Sequence, residues 1–266
     1  MYKINFIFLF LLIAFLIYIV SYDNDNYLTL NFQYPFFTNN NHIYLFGTNA
    51  FGEDIFYLTL YNILYFIFTA LVISIFSLML AFLLGIISGY YGGWFDIVIQ
   101  RFYEVFISIP FLYLILLINN IITLNFFSFC ILFILFNFMP LFPYIRYLSY
   151  TTSNSLYISN LKNIGMNSYL IIVKYLTTAI IKKLFFMLIL TVITTFLTII
   201  GLNFFNITPY YNNSFISSSV GGIIIQGLTY KNYSYMAFLP VLMVTLTIIL
   251  LFFISQYYFL KNYGKK

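Results

Sequence analysis

Few side chains in this sequence could carry acid–base or metal chemistry, since charged residues make up only 6% of the chain. The 266 residues include one histidine, His42, and one cysteine, Cys130. A metal site needs three or four ligands and a disulfide needs a second cysteine, so neither is predicted. Asp96, Arg101 and Glu104 lie at the boundary of an apolar run. Arg101 and Glu104 are three residues apart and would share one helix face, so they are predicted to pair.

A glycine-rich stretch, Gly85 to Gly93, has the composition of a phosphate-binding loop. A Walker A loop ends in Gly-Lys-Ser/Thr, because the lysine holds the phosphates and the hydroxyl binds Mg²⁺. Here the glycines are followed by Trp94-Phe95-Asp96, and the sequence has no Walker A motif elsewhere. The stretch is therefore predicted to be structural: Gly85 and Gly89 permit close helix packing, and Gly92-Gly93 forms a turn. The chain is not predicted to be an ATPase.

The overall composition excludes a water-soluble protein. Hydrophobic residues make up 63% of the chain and charged residues only 6%, whereas soluble domains have about 25% charged residues. So few polar residues could not cover a single water-soluble core of this size. A soluble enzyme, a disordered chain and a disulfide scaffold are excluded. The composition predicts an all-α, polytopic membrane protein.

Six apolar stretches reach or approach the length of about 20 residues that crosses a bilayer as a helix. They are Ile4–Val20, Ile63–Ile87, a third ending at Ile118, Ile121–Tyr144, Leu184–Phe205 and Met236–Leu260. The third is the shortest; we predict that it begins near Phe102 and that Asn119-Asn120 turns it into the fourth. The first is predicted to be an uncleaved helix, since Val20-Ser21-Tyr22 offers no signal-peptide cleavage site.

The basic residues predict the orientation and the domain organisation. With the N-terminus inside, 10 of the 11 lysines and arginines face the cytoplasm and only Lys231 lies outside. Both termini are therefore predicted to be cytoplasmic, and the positive charge is assigned to membrane topology rather than to nucleic-acid binding. Residues 1–44 would form the first helix and the start of an outer loop, and residues 45–266 the main transmembrane domain.

The longest inner segment, residues 145–183, is predicted to contain two short helices, Leu156–Ile164 and Ser168–Thr177. Gly165 lies between them and is predicted to end the first in a left-handed conformation. It is either a basic loop lying on anionic lipid headgroups or a docking element for a soluble protein. The pattern leaves both interpretations open. Apart from Glu104 at the inner boundary of the third, the predicted spans contain no Asp, Glu, Lys, Arg or His. Proton-coupled carriers normally need such residues, so the energy for any work is predicted to come from a partner.

Several motifs, in order along the chain, resemble the ABC importer permeases for dipeptides and oligopeptides. The outer motif runs from Leu45 to Asp54, and its signature residues are Gly47, Thr48, Gly52 and Asp54. The signature residues at the inner turn are Gly89, Gly92, Gly93, Asp96, Arg101 and Glu104. Tyr144-Ile145-Arg146 and Ser219-Val220-Gly221 resemble two later motifs. Among these permeases, the motifs are most similar to those of the Yej-type branch, which transports microcin C and oligopeptides.

This resemblance implies a type I ABC importer permease in the bacterial plasma (inner) membrane. Such a chain pairs with a second permease subunit, with two cytoplasmic ATPase subunits that hold ATP and Mg²⁺, and with an extracytoplasmic solute-binding protein. It carries no cofactor of its own, and it contacts membrane lipid but no nucleic acid.

The family's coupling helix would cover about Tyr157–Ser168 of this sequence. Its Glu-Ala-Ala-x-x-x-Gly motif aligns with a segment that keeps only the glycine, and the aligned residues include Ser159, Asn160, Leu161, Lys162 and Gly165. Two alternatives to the permease stay open. One is a respiratory-chain-type membrane subunit, suggested by the Phe- and Asn-rich composition, and the other is a decayed permease that no longer transports.

Overall fold

The computed structural model describes residues 37–39, 42–44, 46–49, 52–122, 124–205, 207, 219–230 and 235–263. These residues are almost entirely helical, which confirms the predicted fold class. The helices are α1 (Ile55–Tyr91), α2 (Gly93–Ile107), α3 (Phe111–Ile121), α4 (Phe126–Ser153), α5 (Leu156–Asn163), α6 (Ser168–Leu170), α7 (Thr177–Asn203), α8 (Val220–Thr229) and α9 (Tyr235–Tyr263). The predicted first span, Ile4–Val20, lies outside the described residues.

One element that precedes α1 in the chain was not predicted. Strands β1 (Phe37–Asn39) and β2 (His42–Tyr44) form an antiparallel hairpin in which Thr38 pairs with Ile43. A single hairpin of this size is marginal by itself in water. It is a small addition to a helical protein and does not change the class.

Four helical stretches among the described residues are long and apolar enough to cross a membrane. They are all of α1, all of α4, Lys183–Asn203 in α7 and Tyr235–Tyr258 in α9. Each overlaps a span expected from the sequence, so the second, fourth, fifth and sixth predicted spans are confirmed as helices. The sides of the membrane on which their ends lie, and the cytoplasmic position of both termini, stay predictions.

The third predicted span is a broken element rather than one straight helix. Helix α2 begins at Gly93, well before the predicted start at Phe102, and it is bent by 75° from α3. The break contains Pro110, which lacks an N–H and disfavours a helical conformation in the residue before it. The predicted turn at Asn119-Asn120 is also wrong, because α3 continues through both residues to Ile121. Together α2 and α3 make a fifth span if they cross as one bent unit.

The second helix predicted in the inner segment, Ser168–Thr177, is not a separate helix. Helix α6 continues into a π-helical segment, Ile171–Leu176, and then directly into α7. No proline occurs from Ser168 to Asn203, and the one glycine is near the end at Gly201, so nothing in the sequence stops the helix.

The described residues divide between two compact units. The first comprises residues 1–65 and 217–244, and a small apolar cluster in it contains Ile55, Leu58, Ile223 and Met236. The second comprises residues 66–216 and 245–266 and has a larger apolar cluster. In that cluster Phe142 and Ile145 of α4 share a core with Ile158 of α5 and with Ile171 and Leu176 of the π-helical segment.

A buried polar group joins three helices of the second unit. The Asn137 side-chain amide donates to the Thr195 hydroxyl at 2.8 Å, and the Ser74 hydroxyl lies 3.4 Å from that same oxygen. Thr195 in turn donates to the Thr191 carbonyl at 2.6 Å. Hydrogen bonds of this kind hold helices together in lipid, each with about 0.6 kcal/mol on average. They fix α4 and α7 beside α1.

Candidate functional site

The turn between α1 and α2 brings the glycine-rich stretch and the inner-turn acid together. Gly92 and Gly93 have φ values of 60° and 66°, in the left-handed region where a Cβ is strained. The two glycines therefore form the predicted turn, and α2 folds back so that Asp96 lies beside Ser88 of α1.

Asp96 is the centre of a hydrogen-bonded group that we call the junction cluster: Ser88, Asp96, Gln100 and Arg146. Arg146 of α4 donates from Nε to Asp96 Oδ1 at 2.5 Å and from Nη2 to Oδ2 at 2.6 Å. The Ser88 hydroxyl and the Gln100 amide also donate to this carboxylate, the latter at 2.8 Å. An Arg–carboxylate pair with two parallel bonds is among the strongest and most directional contacts between side chains. It ties α2 to α4.

The ends of α1 and α4 touch through the two glycines that were predicted to allow close packing. A Cβ on Gly89 would lie 2.5 Å from the Arg146 carbonyl oxygen and 2.6 Å from Ser149 Cβ. A Cβ on Gly85 would lie 2.9 Å from Ile145 Cγ2. The Ser149 hydroxyl adds a hydrogen bond to the Ile86 carbonyl at 3.0 Å. The small-residue contact is thus confirmed, and it places the α4 backbone against α1.

The other two inner-turn charges behave as the spacing predicted. Arg101 Nη1 lies 2.7 Å from Glu104 Oε2, and both side chains are largely exposed. An exposed pair of this type contributes about 0–1 kcal/mol. These two residues lie outside the junction cluster.

Arg146, which completes the cluster, was not among the predicted site residues. The Tyr144-Ile145-Arg146 motif was the one feature of the sequence that pointed to it.

The segment Leu156–Met166 is anchored by one face and open on the other. We call it the docking segment, after one of the two interpretations that its sequence leaves open. Ser155 precedes α5, and Ile158 is buried in the core of the second unit. Of the residues aligned with the coupling motif, Ser159 and Leu161 are half-buried, and Asn160, Lys162 and Gly165 are exposed.

Two contacts fix the docking segment to its surroundings. Lys162 Nζ lies 4.7 Å from the centre of the Tyr90 ring, a cation–π distance, so α5 is held against the end of α1. At its other end, Gly165 N–H donates to the Lys162 carbonyl and Met166 N–H to the Leu161 carbonyl, at 3.0 and 3.2 Å. This pair of bonds is a Schellman motif, which requires a left-handed residue. Gly165 has φ 82°, as predicted.

The outer motif, in the first unit, is a tight turn that caps α1. Gly47 and Gly52 have φ values of 76° and 80°, and Thr48 forms a β-bridge with Asp54. Asp54 Oδ1 accepts hydrogen bonds from the N–H groups of Phe56 and Tyr57, at 2.8 and 3.4 Å. Burial raises the pKa of Asp54, while these two N–H groups act in the opposite direction. The signature residues here therefore shape the start of a helix.

Replacing Asp54 tests that role. Asp54→Ala removes the oxygen that caps α1, and we expect it to lower the free energy of unfolding by about 1 kcal/mol. Asp54→Asn keeps a side-chain acceptor and is the matched control, with most of the stability retained. Thermal unfolding of the purified chain in detergent measures both. Equal losses in the two variants would contradict the capping role and would indicate that the negative charge of Asp54 stabilises the chain instead.

Comparison with known proteins agrees with this architecture. Residues 81–263 match the family model described as binding-protein-dependent transport system inner membrane component. The chain is similar to the inner membrane ABC transporter permease protein YejE of Escherichia coli K12, with 28% identity over 211 residues, which are 79% of this chain and 60% of that protein. It is 28% identical over 183 residues to the peptidoglycan transport system permease protein YejE of Agrobacterium fabrum, covering 68% and 46% of the two chains.

A third relative is the dipeptide transport system permease protein DppC of Haemophilus influenzae, 32% identical over 107 residues, 40% of this chain and 36% of that one. The chain therefore aligns with less than two thirds of the length of each relative. The family model covers well over half of this chain. The chain belongs to the family of binding-protein-dependent transport system inner membrane components.

Proposed function

We propose that this chain is a membrane-spanning permease subunit of an ATP-binding cassette importer, with α5 as the helix on which an ATPase subunit docks. The observation that carries the proposal is the docking segment. It is a short helix between two long ones, with Ile158 in the core and its opposite face open. Such a helix can pass a displacement to the spans because it is packed against them.

The energy for transport would come from partners. We propose two cytoplasmic ATPase subunits that hold ATP and Mg²⁺, a second permease subunit and an extracytoplasmic solute-binding protein. This chain would not hydrolyse ATP, since its sequence has no Walker A loop. ATP binding would bias a helix bundle between two states, one open to each side of the membrane.

The printed names of the relatives suggest the class of solute. One relative is a peptidoglycan permease and another a dipeptide permease. We propose a solute with peptide bonds.

The exposed face of the docking segment has the chemistry of a protein contact. Leu156 and Ile164, at its two ends, are 84% and 80% exposed, and Tyr157 between them is 58% exposed. Residues 145–183 contain basic side chains and no Asp or Glu. An ATPase groove that is apolar at its floor and acidic at its rim would complement this face.

Gly165 gives the test of the proposed docking. Gly165→Val forces a β-branched residue into a left-handed conformation, at a local cost of about 1–2 kcal/mol, which would reorient α5. Gly165→Asn is the matched control, because asparagine tolerates this conformation better. We expect Gly165→Val to recover much less ATPase than wild-type at matched membrane levels, and Gly165→Asn to recover nearly as much. Co-purification of the tagged chain with its ATPase subunits measures this.

Equal recovery with all three chains would contradict the docking role. The segment would then be a basic loop at the lipid headgroups. Binding of the purified chain to vesicles that contain anionic lipid, compared with neutral vesicles, would then show a Lys162-dependent difference.

A further inference from the structure

Prolines occur in two neighbouring helical elements of the second unit. Pro110 stands between α2 and α3, which are bent by 75°. Helix α4 contains Pro140 and Pro143. Each of these lacks the N–H that would bond the carbonyl four residues earlier, so α4 lacks two helical hydrogen bonds within about one turn. Proline is the commonest cause of sharp bends in long helices.

The contacts between these two elements form two sets, one on each side of the prolines. Phe111 of α3 packs on Phe133 and Phe136, with ring centres 4.7 and 4.0 Å apart, and both partners precede Pro140. Asp96 of α2 binds Arg146, which follows Pro143. Along each element the prolines therefore lie between these two sets of contacts. One body is therefore α3 with the part of α4 before Pro140, and the second is α2 with the part of α4 after Pro143.

The second body is continuous with the docking segment. Helix α4 ends at Ser153 and α5 begins at Leu156. The two linking residues are held in a turn, since Asn154 N–H donates to the Tyr150 carbonyl and Ser155 N–H to the Thr152 carbonyl, at 3.2 and 3.1 Å. Because these hydrogen bonds close the link, they restrict the motion of α5 relative to the end of α4.

We infer that the Asp96–Arg146 pair is a positioning clamp that makes α2 move with the end of α4 and with α5, relative to α3 and the first part of α4. This inference rests on the proposed function, because the displacement begins at the docked ATPase. Arg146 receives it from α5 through the last turns of α4, and Asp96 passes it to α2. The bend at Pro110 then converts it into a change of angle between α2 and α3.

Distances between spin labels test the clamp in the assembled transporter. One label pair joins Trp94→Cys on α2 to Tyr147→Cys on α4, and another joins Trp94→Cys to Leu117→Cys on α3, all in a Cys130→Ser background. All three native side chains are exposed. In wild-type, ATP with vanadate is expected to shift the 94–117 distance and leave the 94–147 distance unchanged.

Asp96→Asn breaks the clamp without changing the size of the side chain. We expect the 94–147 distribution to broaden and the ATP-dependent 94–117 shift to be lost, while ATPase co-purification is unchanged. The charge swap Asp96→Arg with Arg146→Asp is expected to restore the shift at least in part. Glu104→Gln is the matched control on the same helix, because its pair with Arg101 is exposed and does not leave α2.

The outcomes separate this inference from the proposed function. A 94–147 distribution in Asp96→Asn as narrow as in wild-type overturns the clamp, and so does a preserved 94–117 shift. A charge swap that restores neither measurement also overturns it. A wild-type chain that recovers no ATPase overturns the proposed function itself, and with it the role of the clamp in transmission.

Discussion

Gly89→Ala is expected to lower the free energy of unfolding by about 3 kcal/mol, at the upper end of the range for overpacked cores. The added Cβ would lie 2.5 Å from the Arg146 carbonyl oxygen, which is backbone and cannot rotate away. Helices α1 and α4 would have to separate, and the hydrogen bond from Ser149 to Ile86 would lengthen. For a domain of 150–250 residues this corresponds to a fall in the melting temperature of roughly 6–12 °C.

Two further glycines provide a graded series for this measurement. At Gly85 the nearest atom to a new Cβ is a side-chain methyl group, Ile145 Cγ2, at 2.9 Å, so Gly85→Ala should cost less. At Gly201, in α7, a Cβ would meet nothing within 4 Å. Gly201→Ala is expected to be neutral or slightly stabilising, since alanine favours helix over glycine by about 1 kcal/mol. Equal melting temperatures for the Gly89 and Gly201 variants would refute the close contact between α1 and α4.

Gly227→Ala is expected to detach α8 from the start of α9 in the first unit. A Cβ on Gly227 would lie 2.3 Å from the backbone nitrogen of Ala237 and 2.9 Å from its Cβ. Because the closest atom is backbone, a second substitution, Ala237→Gly, should rescue little. We expect a loss of about 3 kcal/mol or more.

Labelling of a buried residue reports this detachment directly. Ile223 of α8 is completely buried. In a Cys130→Ser background, Ile223→Cys should react slowly with a maleimide in the otherwise unchanged chain and quickly in the Gly227→Ala variant. Slow labelling in both chains, with unchanged thermal unfolding, would show that α8 and α9 do not meet at this glycine.

The features that the sequence predicted correctly all depend on local spacing. Gly85 and Gly89 are four residues apart, one helix face, and Arg101 and Glu104 are three apart, also one face. Apolar runs of about 20 residues located the spans in the same way. The left-handed conformation of Gly165 was predicted because helices commonly end in a left-handed residue, usually glycine.

The features that it missed depend on contacts between distant residues or on competing local signals. Arg146 is 50 residues from Asp96, so no periodicity links the two. The turn predicted at Asn119-Asn120 failed because the apolar contacts of α3, including buried Phe111 and Ile115, extend the helix beyond residues of low helix propensity. Pro110 indicated a break between α2 and α3, but the hydrophobic run around it led to the prediction of a single span.

The long separation between Asp96 and Arg146 also sets an order of events during synthesis. Arg146 follows Asp96 by 50 residues, and at a ribosomal rate of about 5–20 residues per second it is added about 3–10 s later. Throughout that interval Asp96 lacks Arg146, and a charge in hydrocarbon without its partner is costly. We therefore expect the start of α2 to stay in contact with water until α4 has been made, and α2 to take its final place only after that step.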